Sequence, residues 1–286
     1  MGCTRRRFLG LTAAAGWSAA CSRPDRSAPP PRVGAQEERM KLAMSVRVAE
    51  GFKNKRESSM SIDELIALAR ANEYSALCMR ASTAGVHSPP DHVEEYAAKI
   101  RTGDLTVSMV TGDFAVPTNG EDGPQGLRNI TPYLDLAEAF GASLIRICMK
   151  KDEDIEWAQK ASDEAAERGI RLAHQAHCAS PFETVEGAVD VLERVGRDNF
   201  GLIYEPANWF VVDEDYGPAT IRRLEPHIFN VYVQNHRLNP RGAATLTTWK
   251  KGTVGVDHIG IWEEGGVRFE EVFDALEEIG YRGYVT

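Results

Sequence analysis

From Met40 to the end of the chain, short apolar runs alternate with amphipathic segments, and this alternation restricts the fold more than any other feature. Runs without a polar face suit parallel strands covered on both sides, and the segments between them repeat apolar residues at helical spacing. Lys41–Val48, Ala76–Arg80, Thr106–Thr111, Leu144–Met149, Ile170–His174, Gly201–Tyr204 and Ile228–Val233 read as strands one to seven, and Gly283–Thr286 begins an eighth. Ser61 and Glu64 form a capping box for a helix carrying Ile62, Leu65, Ile66 and Ala69, and Pro89-Pro90 opens another over Asp91–Arg101. Helices over Ile130–Phe140, Asp154–Arg168 and Phe182–Val195 each stop at a glycine, and Ala219–Leu224 and Phe269–Ile279 complete the set. Eight strands over Met40–Thr286 predict an α/β fold, a (β/α)8 TIM barrel of the usual size of roughly 250 residues, with the sequence breaking off within strand eight. An open doubly wound sheet is the rival, disfavoured by the eighth strand and by the lack of a Gly-x-Gly-x-x-Gly turn.

Residues 1–21 read as an address. Thr4-Arg5-Arg6-Arg7-Phe8-Leu9 matches the twin-arginine export consensus, and the weakly apolar stretch Gly10–Ala20 follows it. Ser18-Ala19-Ala20-Cys21 permits two endings, a lipobox with a lipid anchor at Cys21 or ordinary signal peptidase cleavage. The expected location is therefore periplasmic, free or as a membrane-anchored lipoprotein. Residues 22–39, with Pro29-Pro30-Pro31 and scattered charge, are expected to be a disordered linker, leaving 40–286 as the barrel.

Net charge is −9, which argues against a nucleic-acid partner, since phosphate binding needs a basic surface. After position 40 no apolar run is long enough to span a bilayer. Cys78, Cys148 and Cys178 each lie in or beside an apolar run without Cys-x-x-Cys spacing, and read as small core fillers.

Chemistry in such a barrel belongs to the carboxyl ends of the strands. Those ends carry Arg80 and Ser82 on strand two, Thr111 and Asp113 on three, Arg146 and Lys150 on four, and Gln175 and His177 on five. Strand six contributes Glu205 and Asn208, and strand seven Tyr232, Gln234, Asn235, His236 and Arg237. Side chains two apart share a face, so Gln175 with His177, and Tyr232 with Gln234 and His236, are expected to face the barrel axis. Trp209, Tyr216, Tyr232 and Trp249 near the mouth read either as sugar-stacking rings or as core and loop packing. Asp113 reads as a substrate-orienting group or a loop cap, and Glu263-Glu264 and Glu277-Glu278 as solvated faces.

Three segments carry a resemblance: Gly169-Ile170-Arg171-Leu172-Ala173-His174-Gln175-Ala176-His177, Gly201-Leu202-Ile203-Tyr204-Glu205-Pro206-Ala207-Asn208, and Asn230-Val231-Tyr232-Val233-Gln234-Asn235-His236. They resemble strands five to seven of the sugar phosphate isomerase/epimerase family of xylose-isomerase-like TIM barrels, including its inosose dehydratase-like branch. Gly280-Tyr281-Arg282-Gly283-Tyr284-Val285 is similar to the approach to that family's last strand. The resemblance implies a small carbohydrate substrate and a divalent ion, Mn, Mg or Zn, held at four strand ends. Those four positions fall here on Gln175, Glu205, Tyr232 or Gln234, and a residue past Thr286, so only Glu205 keeps a carboxylate. With Glu205 and His177 as its remaining protein ligands, an ion is expected to bind weakly or not at all.

The resemblance further implies removal of a proton beside a carbonyl through an enediolate. Glu205 is then the base, His177 or His236 the second proton-transfer group, and Arg146, Lys150 or Arg237 the partner of the oxyanion. Arg80, Gln175, Asn208, Tyr232, Gln234 and Asn235 complete the expected substrate contacts. Dehydration of a keto-inositol or oxidised sugar from the same enediolate, and a non-catalytic periplasmic carbohydrate-binding barrel, stay open beside isomerisation or epimerisation.

Overall fold

The structure is a computed structural model that describes residues 39–51, 55–111 and 122–286. The twin-arginine leader, Cys21, the linker up to Glu38 and Asp113 lie outside the described residues.

Eight parallel strands close into a barrel. They are β1 (Lys41–Ser45), β2 (Ala76–Arg80), β3 (Thr106–Thr111), β4 (Leu144–Ile147), β5 (Arg171–Gln175), β6 (Phe200–Tyr204), β7 (Ile228–Val231) and a two-residue closing strand at Tyr284–Val285. The last strand pairs Tyr284 with Lys41 of β1 and Val285 with Val231 of β7, which joins the two edges. The strands are short and almost wholly apolar because helices cover the outside and side chains fill the inside. Cys78, Met109, Leu144, Ala173 and Ile203, one from each of β2 to β6, form the inner apolar layer with Phe229 and Tyr232 packed against it.

The helices start and stop where local chemistry directs. Ser61 accepts from the Glu64 amide while the Glu64 carboxylate accepts at 2.8 Å from the Ser61 amide, so Ile62–Ala71 begins with a full capping box. Thr131–Phe140 and Val185–Val195 each end at a glycine in the left-handed region, Gly141 at φ 67° and Gly196 at φ 55°.

Strand one departs from the sequence expectation: it ends at Ser45, and Val46–Ala49 turns through a 3₁₀ helix that carries Arg47 and leads to Glu50. Strand seven is the larger correction. The barrel strand stops at Val231, and Asn235–Leu238 opens a separate three-stranded antiparallel sheet as β8, joined by β9 (Ala244–Thr248) and β10 (Gly252–Ile259) in the order β8-β10-β9. Buried Glu183 pins this sheet to the strand-five loop, its carboxylate accepting from the amides of Ala179, Trp249 (2.8 Å) and Lys250 (2.7 Å). Cys78, Cys148 and Cys178 are buried and form no disulfide among the described residues.

Candidate functional site

Strand alternation builds the site directly on the apolar floor. Two residues beyond Cys78, Met109, Leu144, Ala173 and Ile203 along their strands come Arg80, Thr111, Arg146, Gln175 and Glu205, and all five are buried. The barrel interior therefore changes within one layer from hydrocarbon to charge and amide. Tyr232, next to the floor, brings its hydroxyl to 3.6 Å from Cys78 Sγ across the barrel.

Glu205 is the centre of this layer. It follows β6 immediately and precedes the helix Pro206–Val211, so an extended residue leads into a turn that places Asn208 beside it. Glu205 Oε2 accepts from Gln175 Nε2 and, at 2.6 Å, from Asn208 Nδ2, while Oε1 accepts from Gln234 Nε2. Asn208 is itself held by a second bond to the Ala176 carbonyl at 2.8 Å. Each carboxylate oxygen offers about two lone-pair directions. Oε2 is thus saturated, and Oε1 retains an open one. Burial raises the Glu205 carboxyl to about 7, against the opposing pull of the Gln175 and Gln234 amides and the Arg146 and Arg47 charges.

Around this carboxylate lies a group of cations. The Arg80 Nε donates to Glu50 Oε1 at 2.7 Å, with Ser82 Oγ donating to the same oxygen at 2.7 Å and Arg47 Nη1 3.7 Å from Glu50 Oε2. Lys55 is lowered to about 8, first by burial and then by the charges of Arg47 and Arg80. Lys150 donates to the Ala179 carbonyl at 3.0 Å.

The histidines differ from expectation. His177 stays on the strand-five side, its Nδ1 2.8 Å from the Cys178 carbonyl, and no hydrogen bond joins it to Glu205. Burial, followed by the Arg146 charge, lowers it to about 3, so it is neutral near pH 7. His236 is not on strand seven at all: it is on β8, its Nδ1 3.0 Å from His258 Nδ1, and burial lowers it to about 4. Neither ring therefore holds the near-neutral value expected of a second proton-transfer group. Asn235 and Arg237 share that strand. Asn235 bonds the Gly260 and Ile261 carbonyls and the Val267 amide, and Arg237 pairs with Glu263 at 3.2 Å, so both brace the three-stranded sheet. Trp209 is fully buried with its Nε1 donating to the Phe182 carbonyl at 3.1 Å, a core residue in place of a stacking ring.

Arg47, Glu50 and Lys55 were not singled out from the sequence. An acidic residue just past an apolar strand, flanked by basic ones, was the available signal, and reading strand one through to Val48 obscured it.

These residues do not fit a divalent ion. Among the described residues Glu205 is the one carboxylate of its layer, amide N–H groups fill Oε2 and one of the two lone pairs of Oε1, and Arg47, Arg80, Arg146 and Lys55 repel a dication. Among the described residues no three His, Cys, Asp or Glu side chains converge as a metal site.

The model of the xylose isomerase-like TIM barrel family matches residues 66–286. A xylose isomerase-like TIM barrel protein from Mycobacterium smegmatis, solved in complex with magnesium, is 14% identical with a TM-score of 0.64, covering 87% of this chain and 90% of its own. The probable 3-DHS dehydratase of petrobactin synthesis from Bacillus anthracis is 13% identical with a TM-score of 0.64, covering 86% and 91%. A D-allulose 3-epimerase from Methylomonas sp. is 17% identical with a TM-score of 0.60, covering 87% and 84%. At these identities the likeness is one of fold. No curated protein matches the chain.

Proposed function

Since the chain belongs to the xylose isomerase-like TIM barrel family, we propose that it is a sugar isomerase or epimerase in which Glu205 removes the proton beside a carbonyl. The observation that carries this reading is a single buried carboxyl poised at about 7, with one open lone pair at Oε1 and its other positions filled by amides. A base with a pKa near the working pH combines a large ionised fraction with a strong pull on the proton.

Substrate binding at the rim sets a C–H against Glu205 Oε1, which takes the proton and holds it while negative charge develops on the former carbonyl oxygen. Arg146 supports that oxyanion from inside the layer, in a setting where a fixed cation acts strongly. Gln175 Oε1 is buried without a partner among the described residues and accepts a substrate hydroxyl. Return of the proton from Oε1 to the neighbouring carbon, as that carbon's hydroxyl proton passes to the former carbonyl oxygen, gives isomerisation; delivery of a solvent proton to the opposite face of the original carbon, with Oε1 giving its own proton back to water, gives epimerisation. Loss of a hydroxyl from the same enediolate would give dehydration, distinguished by the product.

Incubation in D2O with EDTA tests the reaction. D-Fructose, D-fructose 6-phosphate and D-fructuronate are followed by NMR, with deuterium expected beside the carbonyl of at least one. The rate should rise with pH through about 7 and then level, since only ionised Glu205 accepts a proton. No exchange into any of the three would leave a binding barrel as the better account.

The leader supports export by the twin-arginine route, with the barrel acting in the periplasm. Fractionation of cells expressing the chain should find it there. Globomycin, by retaining the leader on a lipidated precursor, would mark Cys21 as the anchor, and retention in the cytoplasm would contradict export.

A further inference from the structure

The strand-one and strand-two side of the rim is organised around a cation with an unused edge. Arg80 is 3% exposed, and its Nε donates at 2.7 Å to Glu50 Oε1, an oxygen that Ser82 Oγ holds from its other side at 2.7 Å. Its Nη2 is buried and has no hydrogen-bond partner among the described residues. A buried guanidinium N–H is retained in this state at a cost that a ligand oxygen removes.

Its surroundings sharpen the chemistry. Among the described residues five cations, Arg47, Lys55, Arg80, Arg146 and Lys150, share the rim with two carboxylates, Glu50 and Glu205. The chain as a whole has net charge −9, so this surplus is local. The lowered Lys55 ammonium senses the same excess. Like charges gathered away from water repel one another, and an entering anion relieves all of them together.

We propose that Arg80, flanked by Arg47 and Arg146, is the oxyanion subsite of this pocket, so that the ligand is an acidic sugar derivative bearing a carboxylate or a phosphate. The unpartnered Nη2 of Arg80 suits an anionic oxygen, which both groups present. This rests on the site described above as the ligand site, but not on proton transfer, because it is read by binding alone.

Calorimetry with D-glucose, D-glucuronate and D-glucose 6-phosphate tests it. At least one acidic sugar should bind about 100-fold more tightly than glucose, weakening as sodium chloride is added, and the tighter of the two identifies the group. Arg80→Met should reduce that affinity by roughly 100-fold. Since a buried substitution can impair folding, Arg47→Met at a half-exposed position provides a second variant, with a loss of roughly tenfold. Equal affinity for all three sugars, no binding of either acidic sugar beyond that of glucose, or undiminished binding in Arg47→Met would overturn the assignment. Failed deuterium exchange alongside tight acidic-sugar binding would instead remove the reaction and leave the subsite standing.

Discussion

Glu205→Gln is expected to slow deuterium exchange by about 100- to 10,000-fold while making the protein more stable at pH 8, a combination that a purely structural glutamate would not give. The activity loss follows from removing the one group at the centre of the layer, among the described residues, able to take a proton at neutral pH, since burial holds His177 neutral and His236 lies on β8.

The stability gain follows from linkage. The folded value of Glu205 is raised to about 7 from 4.5, so the fold favours its protonated form. That contribution is complete below about pH 4.5 and lost as pH rises through 7, for a cost at pH 8 on the order of 3 kcal/mol. A glutamine avoids ionisation, and Gln175 and Gln234 can turn their amides to meet it. The net gain should be about 1–3 kcal/mol in urea unfolding at pH 8, fading towards pH 5. Undiminished exchange, or a variant less stable than wild type at pH 8, would show that Glu205 is an ordinary buried acceptor.

Trp209→Ala is expected to destabilise the protein by about 3–5 kcal/mol. Trp209 is fully buried, meets Tyr204 edge-on at a centroid distance of 5.5 Å, and donates to the Phe182 carbonyl. Alanine leaves both a large void and an unpaired carbonyl. The same helix carries Asn208, so exchange should fall in the variant as the Glu205 carboxylate loses a positioned donor. Urea unfolding measures the first effect. A loss below about 1 kcal/mol with weaker sugar binding would return Trp209 to the mouth as a stacking ring.

Much of this architecture was legible because parallel strands write themselves plainly. Ala76–Arg80 and Phe200–Tyr204 have no polar face, and the capping box at Ser61 with the left-handed stops at Gly141 and Gly196 bounds the helices. The rule that chemistry lies at strand carboxyl ends also led to Gln175, Glu205 and Arg146, which the barrel brings into one layer. Period-two alternation failed at strand seven. Ile228–Leu238 continues to alternate, but the chain leaves the barrel after Val231, and nothing in the alternation itself marks that exit.

The turn at Asn239-Pro240 and the threonine-rich Ala244–Thr248 were signs of a hairpin sheet that a one-strand reading passed over. The near-neutral histidines failed for another reason. Residue type supplies the unperturbed value, and burial supplies the shift, which only packing reveals. Likewise the bond from Arg80 to Glu50 spans two strand ends and has no local sequence signature.

The direct measure of the central claim is the titration of one carboxyl. With glutamate labelled by carbon-13 at its side-chain carboxyl, and the Glu205 signal assigned by its loss in Glu205→Gln, the chemical shift should turn over with a midpoint near pH 7. A midpoint near 4.5 would mean that water or unpaired charge reaches Glu205, and that this barrel does not hold the base that the proposed chemistry requires.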